Sequence, residues 1–396
     1  MSAPSSSPAV SDHPFTAPTV DDLARWLRAD GQARPQRLSR LRERMVAEGV
    51  GAYFGVRREN TRYLTGFTGT NGVCVITADL RLFVTDFRYV EQAERQVRDF
   101  DRARGTQDLL ADAAERLAGR VGFEDQHVSV RRHARLRELA GERVELVGTG
   151  GLVEGLRAVK EPGELAAMRA AAALGDEMYE LIAERGLAGR TEREVALDLE
   201  HEMRLRGAED PAFPTIVAGG PRGAFPHATP GDDPVPNGTL VVVDLGCLLD
   251  GYCSDCTRTF ASGELSGEAL EVYDLVRDAQ EAALGCVRAG AGNREVDAVA
   301  RERIAAAGQG ERFGHGLGHG VGMEVHEAPR LTRTAKQGER LAAGNVVTVE
   351  PGVYVPGRFG VRIEDLVVVR DGEPEILTSL SKELVTVAAA GGRDAS

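Results

Sequence analysis

Two aspartates eleven residues apart, Asp244 and Asp255, stand in residues 238–260, GTLVVVDLGCLLDGYCSDCTRTF. Val241, Val242 and Val243 run straight into Asp244, and such a β-branched run reads as a buried strand. Between the acids lies a hairpin turn signal, Asp250-Gly251. Whether the turn centres on Leu249-Asp250 or on Asp250-Gly251, the odd spacing puts both acids on one face, directly opposite or diagonal to each other. Like charges that close cost free energy unless a cation lies between them, and a divalent metal answers that need. The plainer alternative is two solvated acids on an exposed hairpin. The buried character of residues 241–243 argues against it, because acids beside buried strands need partners.

The pattern recurs in residues 344–369, GNVVTVEPGVYVPGRFGVRIEDLVVV, where Glu350 follows Gly344 by six residues and Glu364 follows Glu350 by fourteen. A three-residue loop centred on Gly357 sets Glu350 and Glu364 face to face. In both copies a glycine follows the first acid by two positions, Gly246 and Gly352. The repeat extends upstream, where Arg193-Glu194-Val195 and Gly207 match Arg294-Glu295-Val296 and Gly308. Residues 164–380 therefore read as two halves, each with helix, Gly turn, helix, His-bearing segment and acidic hairpin. Packed about a pseudo-two-fold axis, they bring four carboxylates to one centre, the composition of a two-metal site.

Histidines join the acids: His315, His319 and His326 fall in FGHGLGHGVGMEVHE, and His227 in AFPHATP. Glycines at 314, 316, 318, 320 and 322 make a helix through His315 and His319 costly, so the stretch reads as a loop passing close to a bound group. Four carboxylates and one imidazole make an oxygen-rich site suited to manganese, cobalt, iron or zinc. A lone histidine is more often an ordinary core or surface residue; four, each near Gly, Pro or a hairpin acid, weigh the other way. Cys253 and Cys256 form a C-x-x-C without a second pair or nearby His, and read as free thiols of a core strand.

The elements that must position these groups are legible around them. Helices at 164–185, 191–206, 266–288 and 293–307 carry Ala-rich apolar stripes that cover a sheet. Pro162-Gly163 marks a boundary, so residues 156–390 form the domain that holds the acids. Residues 19–155 read as a smaller α/β domain: a short helix at 20–29, helical spacing at Leu38, Leu41, Met45 and Val46, strands at 72–77 and 81–85, and a helix at 88–97. Residues 1–18, rich in Ser and Pro, read as a disordered tail. The chain of 396 residues has room for two domains. Its net charge of −13 leaves no basic excess to neutralise nucleic-acid or membrane phosphates. With no apolar run near the length of a membrane span and no leader h-region, a soluble cytoplasmic protein is expected.

The stretches VVVDLG, CSDCTRTF, HGLGHGVGMEVHE, VEPGVY and VRIEDLVVV together resemble the pita-bread metalloexopeptidases, and within them the proline-specific branch of aminopeptidase P and Xaa-Pro dipeptidase (prolidase). The likeness covers about residues 36–385. It implies an α+β fold: a C-terminal pita-bread (creatinase/aminopeptidase-like) pseudo-two-fold domain beside a smaller N-terminal α/β creatinase-like domain. Carried over residue by residue, it implies that Asp244 chelates one metal, Asp255 and Glu364 bridge both, and His319 and Glu350 complete the second. His227, His315 and His326 would lie just outside the ligands or touch substrate, and Arg362 would orient Glu364. The implied cofactor is two divalent ions per chain, Mn2+ foremost, with Co2+, Zn2+ and Fe2+ as alternatives. The implied reaction is hydrolysis of an N-terminal Xaa-Pro bond by a metal-bridging hydroxide, formed because bound water ionises near pH ~7. Glu350 would take the water's proton, and His227 or His326 would stabilise the oxyanion.

In HEAPRL, Arg330 resembles the Arg of the H-E-x-P-R of small two-domain prolidases, placed to catch a dipeptide's carboxylate; otherwise it is a surface Arg after Pro329. Dipeptidase and aminopeptidase thus both stay open. The implied partners are short peptides with proline second, neither nucleic acid nor membrane, and a second copy in a homodimer. A methionine-type aminopeptidase shares all five ligands but is not expected to carry the N-terminal domain. A non-catalytic peptide-binding module on the same fold is the rival of another class, and the complete ligand set argues against it, as it does against creatinase-like C–N hydrolysis.

Overall fold

The computed structural model describes residues 20–387, leaving the Ser- and Pro-rich tail at 1–18 outside the described residues. The described residues fold as two compact units, one of residues 25–163 and one of residues 20–24 with 164–387. In the first, six strands form one sheet: β1 (Ala52–Gly55), β2 (Gly72–Thr77), β3 (Arg81–Thr85), β4 (Asp101–Arg104), β5 (Gly119–Phe123) and β6 (Val144–Gly148), in the order β4-β3-β2-β1-β5-β6. Strands β2 and β3 occupy the spans that alternation indicated. Thr77 closes their turn, its hydroxyl accepting from the backbone N–H of Asp79 and Leu80. Mixed pairing, β1 with β5 parallel and β1 with β2 antiparallel, leaves both faces to helices, and β1 is buried along its whole length. One buried acid of this unit, Glu124, is satisfied by Tyr53 Oη, Asn60 Nδ2 and the backbone N–H of Val56 and Arg57.

One expectation fails here. The helical segments read separately at 20–29 and across Leu38 to Val46 are a single helix, Val20–Ala47, with Pro35 inside it. Arg34 and Arg37 both bond Asp30, which ties the turns before and after the proline together and offsets its missing N–H. Leu38, Leu41 and Met45 face inward, whereas Val46 is 79 % exposed and belongs to the opposite stripe.

The second unit repeats one layout twice. Helices Pro162–Arg185 and Glu192–Leu205 precede β7 (Asp210–Pro211), β8 (Ile216–Gly219), β9 (Leu240–Leu245), β10 (Cys247–Leu249), β11 (Tyr252–Cys253) and β12 (Cys256–Ala261). Helices Gly267–Leu284 and Asn293–Ala306 precede β13 (Gly318–Gly320), β14 (Glu327–Leu331), β15 (Val346–Val349), β16 (Gly352–Val355), β17 (Phe359–Arg362), β18 (Asp365–Val368) and β19 (Glu375–Ile376). The first half pairs as β12-β9-β8 and β11-β10-β7, the second as β14-β13-β15-β18-β19 and β16-β17. Each half has its own core: Val241, Val243 and Leu245 pack with the first helix pair, and Val347, Val349 and Val367 with the second. Two half-domains of antiparallel sheet with helices outside make the pseudo-two-fold pita-bread architecture. The inner strands β9, β12 and β15 to β18 are buried at every residue, so an acid among them has no solvent of its own. Among the described residues no helix is long and apolar enough to cross a membrane.

Candidate metal centre

The first hairpin turns on Asp250-Gly251, both in the left-handed region (φ 47° and 74°), as a two-residue turn between paired strands demands. Asp244 pairs with Thr257 in the β9–β12 ladder, which puts Asp255 diagonal to Asp244 on the same face, with Thr257 between them. The diagonal alternative is therefore the one realised. Gly246 permits the close passage, since a Cβ there would fall 2.0 Å from the Ser254 carbonyl oxygen. In the second hairpin the pairs Val349–Asp365 and Gly352–Arg362 share one register, so Glu350 stands opposite Glu364 in the gap between them.

Ligand atoms of Asp244, Asp255 and Glu364 lie within 4.8 Å of one another, and all three residues are buried. His319 joins them, its Nε2 standing 3.2 Å from Glu350 Oε1 and 3.6 Å from Asp255 Oδ2. The loop expected through His319 is instead strand β13, because Gly318 and Gly320 let this backbone press against its neighbours: a Cβ at Gly318 would meet the Thr348 carbonyl at 2.0 Å. Thr348 Oγ1 receives the His319 N–H at 3.0 Å and donates to Glu350 Oε1 at 3.1 Å, which fixes both side chains together.

The electrostatics of this cluster call for a cation. Burial first, and then the neighbouring carboxylates, push Asp255 and Glu364 well above the usual carboxylate range. Burial also raises Asp244, against the pull of Arg362. Glu350 moves the other way: burial opposes ionisation, but His319, His315 and Arg362 hold it below its ordinary value. Two buried oxygens, Asp244 Oδ1 and Glu364 Oε1, have no hydrogen-bond partner. His319 Nδ1 lies 3.1 Å from the Gly320 carbonyl, which can only accept, so Nδ1 carries a proton and Nε2 is the ring nitrogen turned toward Glu350. A carboxylate oxygen and a ring nitrogen that close need a cation or a proton between them. The donor set of carboxylates and one imidazole therefore fits hard-to-borderline divalent ions.

Arg362 binds the cluster from behind. Its guanidinium donates to Asp244 Oδ2 at 2.6 Å, Thr257 Oγ1 at 3.0 Å and Tyr354 Oη at 2.8 Å. Thr257 in turn donates to Glu364 Oε2 at 2.8 Å, so Arg362 reaches Glu364 through that hydroxyl and does not touch it directly. Tyr354, accepting from Arg362, donates a hydrogen bond to His315 Nε2 at 2.9 Å, while His315 Nδ1 faces the Gly316 carbonyl at 2.8 Å. Both nitrogens of His315 are thereby engaged, and burial pushes its pKa down, consistent with a neutral ring.

A cavity of about 670 Å³ opens over the acids, lined by His227, His315, His326 and Arg330, with Phe213, Ile216 and Val325 supplying apolar wall. His326 sits edge-on to His319, ring centroids 4.4 Å apart. Partial burial, and then His319 and Arg330, push the His326 pKa down to about 4. His227 and Arg330 are exposed side chains of this lining. The structure thus gathers every candidate residue around one cavity. It adds Thr257, Thr348 and Tyr354, which the sequence reading missed. Their signal was alternation: each lies two or four residues from a candidate acid on the same strand face.

Comparison with known proteins agrees with this geometry. Residues 166–371 match the model of metallopeptidase family M24, and residues 37–159 match the creatinase/prolidase N-terminal domain. The chain is 32 % identical over 355 residues to the Xaa-Pro dipeptidase of Pyrococcus furiosus, covering 88 % of this chain and 99 % of that one. Among solved structures it is similar to the Xaa-Pro dipeptidase from Bacillus anthracis, with TM-score 0.86, 37 % identity and coverage of 89 % and 99 %. It is also similar to the X-Pro aminopeptidase from Thermotoga maritima, with TM-score 0.79, 36 % identity and coverage of 86 % and 98 %. With two half-domains converging on a buried acid cluster and a matched span of just over half its length, this chain belongs to metallopeptidase family M24 and carries the creatinase/prolidase N-terminal domain.

Proposed function

We propose that this chain is a dinuclear Xaa-Pro exopeptidase that hydrolyses the bond between an N-terminal residue and a following proline in short peptides. Asp244, Asp255, His319, Glu350 and Glu364 would hold two divalent ions, manganese foremost and cobalt, zinc or iron as alternatives. The observation that carries the reading is the buried cluster of Asp244, Asp255 and Glu364, with two orphaned oxygens and His319 Nε2 turned toward it. When bound, such ions supply Lewis acidity and let water ionise near pH ~7.

The protein's own groups do the rest. Glu350, held ionised by its neighbours, accepts the proton of the attacking water. His326, neutral at physiological pH, and His227 offer ring N–H groups to the scissile carbonyl and the leaving proline nitrogen from the cavity wall. Arg362, Thr257 and Tyr354 keep the acids and His315 in place. Proline after the scissile bond is a tertiary amide with a fixed ring, and the apolar wall of Phe213, Ile216 and Val325 suits that ring. Arg330, an exposed cation on the same cavity, favours the dipeptidase: it would pair with the carboxylate of a two-residue substrate. A homodimer and a cytoplasmic location are part of the same proposal.

The test is hydrolysis of Ala-Pro and of Ala-Pro-Ala by metal-stripped protein with and without Mn2+. Cleavage of either peptide only with metal is the expected result, with Ala-Pro the better substrate. Arg330→Ala should then lower kcat/KM for the dipeptide at least ~10-fold more than for the tripeptide, the size of one lost charge-assisted bond. Metal-loaded protein that leaves both peptides intact would sink the proline specificity.

A further inference from the structure

Glu364 stands where strand pairing lapses. β17 ends at Arg362 and β18 begins at Asp365, so its main chain is held by other means. Its N–H donates to the Thr257 carbonyl at 3.1 Å. From β12, Arg258 reaches the same gap: Nη1 donates to the carbonyls of Glu364 and, at 3.0 Å, Thr257, while Nη2 bonds Asp365 Oδ1 at 2.8 Å. Both Arg258 and Asp365 are buried, at 3 % and 1 % exposure.

The Asp365 carboxylate takes three more donors, Gln280 Nε2 at 2.9 Å, Thr378 Oγ1 at 2.9 Å and Lys382 Nζ at 3.0 Å. Two of these belong to residues 378–387, past the span of the family match, which ends at 371. The same segment returns the Leu380 and Ser381 carbonyls to Arg258 at 2.9 Å and 3.2 Å. Asp176 receives the N–H and hydroxyl of Ser379, each at 2.7 Å, and Ala261 exchanges backbone bonds with Val385 and Val387. Leu380, Leu384 and Val385 are partly buried against the two cores and Val387 is fully buried, so polar contacts and burial together hold the segment.

We infer that residues 378–387 form a charged strap that positions Glu364, with Arg258, Asp365 and Lys382 as its positioning residues. The inference rests on the proposed reading of Glu364 as a metal ligand. A buried ion pair contributes little net stability but fixes geometry when every lone pair is answered. Here it fixes the carbonyl of Glu364 directly and, through the Thr257 carbonyl that Arg258 also binds, its N–H. Lys382, whose side chain is 19 % exposed, is the member that can be replaced without leaving an uncompensated buried charge, because Arg258 still balances Asp365.

The experiment titrates metal-stripped full-length protein with Co2+ and compares wild type, Lys382→Gln and Lys382→Arg. It reads affinity, the visible d–d spectrum of the bound cobalt, and the melting temperature of the metal-free form. Lys382→Gln is expected to stay folded, to bind Co2+ about 10- to 100-fold more weakly and to show an altered spectrum, with Lys382→Arg restoring both. Wild-type affinity and spectrum in Lys382→Gln overturn the strap, whatever its melting temperature. Should that variant not fold, Thr378→Val removes another donor to Asp365 and is judged by the same two outcomes. Wild-type protein that binds cobalt yet cleaves no Xaa-Pro peptide overturns the peptidase reading and leaves the strap comparison intact; wild-type protein that binds no divalent ion overturns both.

Discussion

Asp255 faces three other carboxylates of the cluster: after burial, those of Glu364, Asp244 and Glu350 all raise its pKa. Replacing it with an uncharged isostere therefore has opposite effects with and without metal. Asp255→Asn should melt higher than wild type when both are metal-free, because one buried charge is gone. It should lose the metal-dependent rise in melting temperature and more than ~100-fold in peptidase activity, beyond what a residue outside the ligand shell costs. Paired thermal melts with and without Mn2+ check both signs. Thr257 works at one remove, its hydroxyl donating to Glu364 and accepting from Arg362. Thr257→Val keeps the shape and removes that relay, so metal affinity should fall about 10- to 100-fold while the far-ultraviolet CD spectrum stays unchanged. An unaltered affinity would make Thr257 mere filling.

At the scale of elements, the site depends on strands that approach more closely than side chains allow. Gly318 lies where a Cβ would sit 2.0 Å from the Thr348 carbonyl, and Gly360 where it would sit 1.9 Å from that of Gly223. Both contacts are with backbone, which cannot swing aside. Gly318→Ala should therefore destabilise by about 1–3 kcal/mol in urea unfolding and also weaken metal binding, because His319 is the next residue on β13. Wild-type stability in that variant would mean the sheet has slack that the structure does not show. The glycine-spaced histidines illustrate the limit of local reading: alternating Gly looks like a loop, yet it is what a strand needs when its neighbour's backbone fills the Cβ position.

Across the whole molecule, the charge balance leaves one acid away from the metal cluster poorly satisfied among the described residues. Asp176 in helix Pro162–Arg185 accepts two bonds from Ser379, but its Oδ1 has no partner. Burial, with Asp365 adding and Arg258 and Ser379 opposing, raises its pKa from 3.8 to about 6. A raised carboxyl binds its proton more tightly folded than unfolded. Its stabilising contribution is complete below 3.8 and is lost as pH climbs through about 6. Asp176→Asn keeps an oxygen for Ser379 and removes the titration. The melting temperature of wild type relative to this variant should hence rise as pH is lowered from 7 to 4, in melts of both proteins across that window. A constant difference would show that Asp176 does not titrate there.

The acidic hairpins were legible from the chain alone because they are local. Asp250-Gly251 and Pro356-Gly357-Arg358 set the turns, and a side-chain period of two carries each acid to a known face. Strands β2 and β3 and the paired helices of both halves follow from the same short-range periodicities. Tertiary structure alone decided the diagonal placement of Asp255, the strand at His319 and the unbroken helix through Pro35. It alone also supplied the partners of the acids. Thr257 meets Glu364 across 107 residues of sequence and Arg362 meets Asp244 across 118. The folding of two separate half-domains onto one centre creates such contacts, and no pattern within either half contains them.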